Sequence, residues 1–266
     1  MSKTILISNV TIVNYDREIT GDLFIRDGKV EKIGQALQVE ADIFLDGTAN
    51  NWIVMPGFID MHIHGSAGFD MMDATEEALR GMSRSLVKEG TTSYLPTTIT
   101  QRVDAIEAAL ENVNGFVNNA DEAEVLGIHV EGPYISTKWA GAQPIEHISE
   151  PSIEQFLKWQ QLSGNRIKQV TVAPEIVGGF EFVQAMSEEG IISSIGHSDA
   201  SSDEVEKAVQ LGAKQATHLY NQMRPFHHRD TGVVGSVLLN DHMKVEIIVD
   251  YIHSHMKAVN LAYRLK

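Results

Sequence analysis

Cysteine is absent from the 266 residues of this sequence, which excludes disulfide bonds and thiolate metal sites. No apolar run approaches the ~18 residues of a membrane span, and the N-terminal stretch lacks the apolar core of a signal peptide. Basic residues are also scarce, because 21 Lys and Arg stand against 36 Asp and Glu, for a net charge of −15. Such a surface repels polyanions, so nucleic acid is not an expected partner. These absences predict a soluble, cytoplasmic protein with no membrane contact.

The first 52 residues differ in pattern from the rest of the chain. Three short β-rich runs, TILISNVTIVN, DLFIRDGKVEKIG and ADIFLDGTAN, follow one another with turn residues such as Asp27-Gly28 and Asp46-Gly47. They predict a small antiparallel β unit over residues 1–52, placed before the main domain.

From residue 53 to residue 266 the pattern becomes an apolar strand, a polar loop and an amphipathic helix, repeated. Helical patterns such as 74–90 and 202–212 separate the candidate strands, which are 57–64, 92–98, 125–132, 167–175, 191–198, 214–221 and 245–253. This alternation predicts an α/β fold with a parallel sheet, namely a (β/α)8 TIM-like barrel. The count is one strand short, so either the barrel is incomplete or the sequence is part of a longer protein.

Histidines and one carboxylate lie at matching places in these strands. His62 and His64 close the first strand, Glu131 the third, His197 the fifth, and His218 the sixth. The carboxyl ends of barrel strands open on one face, so these side chains are expected to converge there. Nitrogen and oxygen donors of this kind suit Zn²⁺ or Fe²⁺. If Glu131 bridges two ions, each of them held by one histidine pair, the ions can share one water molecule.

Each of these residues also has an ordinary interpretation. His62 and His64 could be polar residues on an exposed strand face, and a lone histidine such as His197 is commonly a hydrogen-bonded core residue. His129 shares the strand face of Glu131 and is interpreted as a structural or supporting residue, as is Asp60 on the face of His62. The joint occurrence of five such residues at strand ends favours a metal site.

Five motifs occur in order along the chain, namely PGFIDMHIHG, HVEGPYIS, GHSDA, THLYNQM and VDYIHS. Together they resemble the N-acetylglucosamine-6-phosphate deacetylase family of the amidohydrolase superfamily, from the N-terminal β unit to the last residue. The resemblance implies hydrolysis of the acetamide of N-acetylglucosamine 6-phosphate to glucosamine 6-phosphate and acetate, in amino-sugar catabolism. It also implies a homodimer, and a small β-sandwich that C-terminal strands complete around the first residues.

The resemblance assigns the metal ligands residue by residue. Glu131, His197 and His218 match the main ligands, and His62 and His64 match those of an additional ion. The His-x-His pair therefore implies two divalent ions per site, zinc or iron, with manganese or cobalt as further possibilities.

Substrate contacts are implied in the same way. Asn221, Gln222 and Arg229 match residues at the phosphate end, Ala142 and Gln143 lie in a loop that covers the substrate, and His253 matches a residue near the scissile acetamide. Some relatives carry histidine where Gln143 stands. The segment 224–229, RPFHHR, is the most concentrated basic stretch of this acidic chain, although composition alone is equally typical of a solvated loop.

The family's general acid/base is an aspartate at the end of the eighth strand, which is expected beyond Lys266. Asp250 is not given this role, because a spacing of three from His253 places it on the opposite face of a strand. Proton transfer by such a group contributes ~10²–10⁴-fold in rate, so the sequence as it stands predicts slow or no hydrolysis.

Two other functions remain open from the sequence. One is a two-metal amidohydrolase that acts on a cyclic amide or nucleobase. The other is a truncated, catalytically dead metal-binding homologue. Phosphate recognition by Asn221 and Arg229 argues against the first, and the short C-terminus is the support for the second.

Overall fold

The computed structural model describes residues 3–266 and divides the chain into two compact units, of which the first ends at Phe58 and the second is Ile59–Lys266. The first unit is a five-stranded sheet with the strands β1 Thr4–Val13, β2 Glu18–Arg26, β3 Lys29–Gly34, β4 Ile43–Asp46 and β5 Ile53–Val54. The boundary lies beyond the predicted 52/53 because β5 pairs with β1 and so extends the first sheet.

The strands of the first unit are only partly antiparallel, so the predicted arrangement is wrong for two of them. β1, β2 and β3 form an antiparallel meander, whereas β4 and β5 pair with β1 in parallel. The Asp27-Gly28 turn has φ values of +50° and +77°, which the two-residue hairpin between β2 and β3 requires. Asp46-Gly47 forms no hairpin, because a 3₁₀ turn follows and returns the chain to the same side of β1.

From Phe58 onward the chain alternates strands and helices. The strands are β6 Phe58–Ile63, β7 Gly65–Ser66, β8 Phe69–Asp70, β9 Thr91–Thr98, β10 Glu124–Val125, β11 Ile128–Glu131, β12 Ile167–Val172, β13 Ile192–Ile195, β14 Gln215–Ala216 and β15 Lys244–Val245. The helices are α1 Glu76–Lys88, α2 Val103–Val113, α3 Ile153–Leu162, α4 Gly179–Glu188, α5 Ser202–Gln210, α6 Gly232–Leu239 and α7 Met256–Leu265. Within residues 3–266, none of these helices is long and apolar enough to cross a membrane.

One sheet organises the second unit. β6 pairs with β9, β9 pairs with both β10 and β11, and β12, β13, β14 and β15 follow in order. The pairings from β9 to β15 are parallel, as expected for a TIM-like barrel. β10 and β11 are two pieces of the predicted third strand, so all seven predicted strand positions are occupied.

Two of these strands are much shorter than predicted. β14 ends at Ala216 rather than residue 221, because His218 and Tyr220 take positive φ values that turn the chain. β15 ends at Val245 rather than residue 253. Beyond it, the Asp250 carboxylate accepts hydrogen bonds from the main-chain N–H groups of Ile252 and His253, which stabilises a turn in place of a strand.

The core of the second unit lies between this sheet and its helices. The largest fully buried side chains include Trp159, Tyr94, Tyr134 and Phe156, and the Tyr134 ring stacks on Trp159 at 5.9 Å. The predicted helix start near residue 202 is confirmed, because Ser201 and Glu204 form a capping box at the first turn of α5. The helices therefore pack against the sheet, and its strand ends remain available for polar side chains.

A buried ion pair predicts how stability of the second unit depends on pH. The Glu122 side chain is fully buried and pairs with Arg80 at 3.0 Å. Burial raises the pKa of Glu122, but hydrogen bonds from Asn119 and the pair with Arg80 outweigh it and lower that pKa. Because the folded-state pKa is lowered, the stabilisation is present above the unfolded value of ~4.3 and is lost as pH falls through the folded value.

Glu122→Gln is therefore expected to destabilise the protein by about 1–3 kcal/mol at pH 7 and by much less at pH 3. Urea unfolding at the two pH values measures this difference. The exposed Glu124 supplies the control, since Glu124→Gln should be neutral at both. An equal loss at both pH values would contradict the charge-based explanation.

Candidate active site

Four of the five predicted metal ligands converge on the fifth, the Glu131 carboxylate. Glu131 Oε1 lies 3.4 Å from His62 Nε2, 3.2 Å from His197 Nε2 and 3.1 Å from His218 Nε2. Glu131 Oε2 lies 3.2 Å from His64 Nε2. Side chains separated by up to 87 residues from Glu131 are thus gathered around it, as the strand-end pattern predicts.

The strand ends position these side chains. Glu131 is the last residue of β11, and His197 and His218 each lie two residues beyond their strands. Both histidines take positive φ, +49° and +32°, which is uncommon outside glycine. These turns direct their rings back towards Glu131 instead of away from the sheet.

Gly132 follows Glu131 directly and is required by close packing. Its φ is +71°, and a Cβ atom at this position would lie 2.1 Å from the Thr100 hydroxyl oxygen. Any larger residue would therefore displace the chain next to the central carboxylate.

The second ring nitrogen of every histidine is also engaged. Each Nδ1 faces an acceptor, at 2.9 Å for His62 with Glu246 Oε2, 3.2 Å for His64 with Thr97 O, 2.8 Å for His197 with Trp139 O and 3.1 Å for His218 with Asn221 O. A carbonyl or carboxylate oxygen accepts and cannot donate, so the proton belongs on Nδ1. The Nε2 atoms are all directed at the same region, where a metal ion can take the place of a proton, an arrangement typical of metal-binding histidines.

The pKa values of several side chains in the cluster are strongly shifted. Burial raises the pKa of Glu131, but hydrogen bonds from the surrounding imidazoles hold it well below its usual value. Burial lowers the pKa of His62, yet hydrogen bonds to Glu131 and Glu246 outweigh it and raise that pKa to about 10. His129 is fully buried, and burial together with the His62 charge lowers its pKa to about 3. The central carboxylate is therefore ionised, which a cation site requires.

Among residues 3–266, three groups of ligand atoms lie close enough to hold a metal ion. Within each group all ligand atoms are within 4.8 Å of one another. Two groups share the central carboxylate and match the predicted sets, namely His62–His64–Glu131 and Glu131–His197–His218, and the third is His62–His129–Glu246. The donor chemistry of the first two fits divalent zinc or iron.

Gln143 lies in the predicted substrate loop, and its side chain reaches the cluster. Its amide nitrogen donates to Glu131 Oε2 at 2.6 Å, and its amide oxygen accepts from the Thr100 main-chain N–H at 2.8 Å. Both polar atoms are hydrogen-bonded and the side chain is buried, and its role as a substrate contact stays a prediction. Ala142 beside it is exposed.

The other predicted substrate residues differ in their contacts and in their exposure. Asn221 contacts it through its main-chain oxygen, which accepts from His218. Gln222 is exposed and packs against Gly141, where a Cβ atom would lie 2.7 Å from its side chain. Arg229 is exposed, and its main-chain N–H donates to His227.

His253 and Asp250 correct the interpretation of the seventh strand. The two side chains were expected on opposite strand faces, but His253 Nδ1 lies 2.6 Å from Asp250 Oδ2. They pair because the segment is a turn, in which the period-two rule does not apply. The His253 side chain is 54% exposed, and its ring belongs to none of the three ligand groups.

Glu246 is the site residue that the sequence analysis missed. It follows β15 directly, is largely buried, and contacts His62 across 184 residues of sequence. Gln169 and Gln215 also donate to it. A single acidic residue inside the apolar run VEIIV was the available signal, since a buried charge requires a partner.

Comparisons with known proteins indicate the family of this chain. The Amidohydrolase family model matches residues 53–264. An N-acetylglucosamine-6-phosphate deacetylase of Lysinibacillus sphaericus is 52% identical over 99% of this chain and 68% of its own length. One of Bacillus subtilis (strain 168) is 44% identical over 100% of this chain and 68% of its own length.

A solved structure gives the same result in three dimensions. The N-acetylglucosamine-6-phosphate deacetylase of Pasteurella multocida superposes with a TM-score of 0.85 at 30% identity, over 99% of this chain and 69% of that one. Sequence, fold and the His/Glu cluster thus agree, and the chain belongs to the N-acetylglucosamine-6-phosphate deacetylases of the amidohydrolase family.

Proposed function

We propose that this protein hydrolyses the acetamide of N-acetylglucosamine 6-phosphate, to give glucosamine 6-phosphate and acetate. The observation that carries the proposal is the convergence of four imidazole Nε2 atoms on one buried, ionised carboxylate, in a member of this deacetylase family. The cyclic-amide alternative is not favoured, because the relatives at 52% and 44% identity are both deacetylases of this sugar phosphate.

Two divalent ions, zinc or iron, are the proposed cofactor. His62 and His64 would hold one ion, His197 and His218 the other, and Glu131 lies where it can bind both. A bound divalent ion polarises a carbonyl oxygen and lowers the pKa of water, which is the chemistry that amide hydrolysis requires. Gln143 donates to Glu131 Oε2, the oxygen that His64 also faces, and so helps to fix the orientation of the carboxylate.

The substrate residues are proposed from exposure and position. Asn221, Gln222 and Arg229 lie on the segment after β14, and the exposed guanidinium of Arg229 can meet a phosphate that the net charge of −15 otherwise repels. Ala142 is proposed to contact the sugar, while Gln143 acts through Glu131. His253 is proposed to contact the acetamide region once substrate is bound, as its exposed ring is already oriented by Asp250.

The finer features of fold and assembly stay predictions. These are the closure of the sheet by an eighth strand that carries the general acid/base aspartate, the completion of β1–β5 into a β-sandwich, the homodimer and the cytoplasmic location. Each is implied by the family resemblance of the sequence.

Acetate release tests the substrate assignment. N-acetylglucosamine 6-phosphate is expected to react with a kcat/KM about 10–100-fold above that of unphosphorylated N-acetylglucosamine, because a charge-assisted phosphate contact contributes about 1.5–3 kcal/mol. Arg229→Ala should remove most of this preference. The control is Arg102→Ala, since Arg102 is also exposed but pairs with Asp104 near α2. Equal rates on both sugars would contradict phosphate recognition, and faster hydrolysis of a cyclic amide would favour the alternative.

A further inference from the structure

We propose that Glu246 is a positioning residue for the metal centre, which fixes the His62 ring so that its Nε2 faces Glu131. This inference rests on the proposed metal site. Glu246 Oε2 lies 2.9 Å from His62 Nδ1, and His62 Nε2 lies 3.4 Å from Glu131 Oε1. One imidazole thus joins two buried carboxylates, of which only Glu131 belongs to the predicted ligand set.

His62 differs from the other three histidines in the partner of its Nδ1 atom. His64, His197 and His218 each face a main-chain carbonyl oxygen. His62 alone faces a carboxylate. A carboxylate acceptor makes the imidazole more basic than a carbonyl does, and so strengthens its Nε2 as a metal ligand.

Glu246 is itself held in place by neutral donors. The side-chain amides of Gln169 and Gln215 both donate to Oε1 at 2.5 Å. Gln215 also donates to the Gln169 amide oxygen at 3.0 Å, which turns the Gln169 amide nitrogen towards Glu246. With His62 on Oε2, both carboxylate oxygens accept hydrogen bonds, and the side chain is only 15% exposed.

His129 completes the enclosure of the His62 ring. The two rings meet edge to face, with centroids 4.6 Å apart, and His129 Nε2 is hydrogen-bonded to the Thr171 hydroxyl at 2.7 Å. The ligand atoms of His62, His129 and Glu246 are also close enough to hold an ion. That use is disfavoured because His62 Nδ1 already bonds Glu246 and the His129 ring already bonds Thr171.

The effect of Glu246 should be confined to one of the two ions. His62 and His64 form one ligand pair with Glu131, whereas His197 and His218 form the other and are held by main-chain oxygens. Loss of Glu246 therefore weakens binding of the ion on the His62–His64 side. The ion on the His197–His218 side keeps all of its ligands and their supports.

Titration of metal-free protein with Zn²⁺ or Mn²⁺ alone, followed by calorimetry, tests this inference. Glu246→Leu is expected to lower the affinity for one of the two ions by about 10–100-fold and to leave the affinity for the other unchanged. Glu246→Gln should lose less, because its amide oxygen can still accept from His62. Glu122→Gln is the matched control, since it alters another buried glutamate that contacts no ligand histidine.

A spectroscopic readout separates positioning from general damage to the fold. In ¹⁵N NMR spectra of metal-free protein, His62 should hold a proton on Nδ1 in the wild type, and this signal should weaken in Glu246→Leu while those of His197 and His218 persist. Unchanged affinities for both ions in Glu246→Leu would overturn the inference and leave the two-metal site intact. If the wild type binds three ions and Glu246→Leu loses one of them, Glu246 is itself a ligand, and the inference is overturned. A wild type that binds no metal would refute the proposed function as well.

Discussion

Glu131→Gln protein is expected to lose both of the proposed metal ions, with an affinity for each that falls by more than about 100-fold. This exceeds the usual 10–100-fold cost of losing a residue that merely supports a ligand, because Glu131 contacts all four histidines directly. Glutamine removes the central negative charge and presents an amide nitrogen, which is a donor, to imidazole atoms that must be free to bind metal. Metal analysis of the purified variant measures the loss.

The comparison variant for this prediction is His64→Ala. It removes a ligand from one side of Glu131 only, so the protein should retain one ion per chain on His197, His218 and Glu131. A Glu131→Gln protein that retains two ions would contradict the bridging position. A His64→Ala protein that also retains two would show that the His-x-His pair holds no separate ion.

Removal of metal by a chelator should lower the melting temperature by roughly 8–16 °C. Binding at a metal concentration of about 1,000 times Kd stabilises a folded protein by about 4 kcal/mol, and each kcal/mol moves Tm by about 2–4 °C at this chain length. The physical cause is that only the folded chain gathers the four Nε2 atoms and the Glu131 carboxylate, so a bound ion stabilises the folded state and not the unfolded one. Differential scanning calorimetry with and without chelator measures the change.

The same experiment on Glu131→Gln supplies the control. A variant that holds no metal has none to lose, so the chelator should leave its Tm unchanged. If wild type and variant respond equally to the chelator, the stabilisation does not come from this site, and the proposed metal centre would be wrong.

Local patterns were sufficient to predict most of the fold. Apolar runs bounded by turn residues located all seven strand positions of the second unit, and the helical pattern over 202–212 located the start of α5. One of the errors concerns a segment in which a side chain bonds to the main chain. The Asp250 carboxylate bonds the N–H groups of Ile252 and His253, so an apolar run that reads as a strand becomes a turn.

The convergence of the candidate ligands could be predicted for a similar reason. His62, His64, Glu131, His197 and His218 lie at strand ends, and a parallel sheet brings its strand ends to one face whatever the details of packing. Their side-chain chemistry is visible in the sequence. The amino-acid sequence by itself therefore determined the donor set and the family to which the chain belongs.

Only the tertiary structure decided how these donors are oriented. The acceptors for His64, His197 and His218 are main-chain oxygens, which carry no signature in the amino-acid sequence. Glu246 contacts His62 across 184 residues of sequence, and Gln143, in the predicted substrate loop, donates a hydrogen bond to the Glu131 carboxylate. The physical reason is that ring orientation depends on which polar atoms share a buried space, and folding alone brings those atoms together.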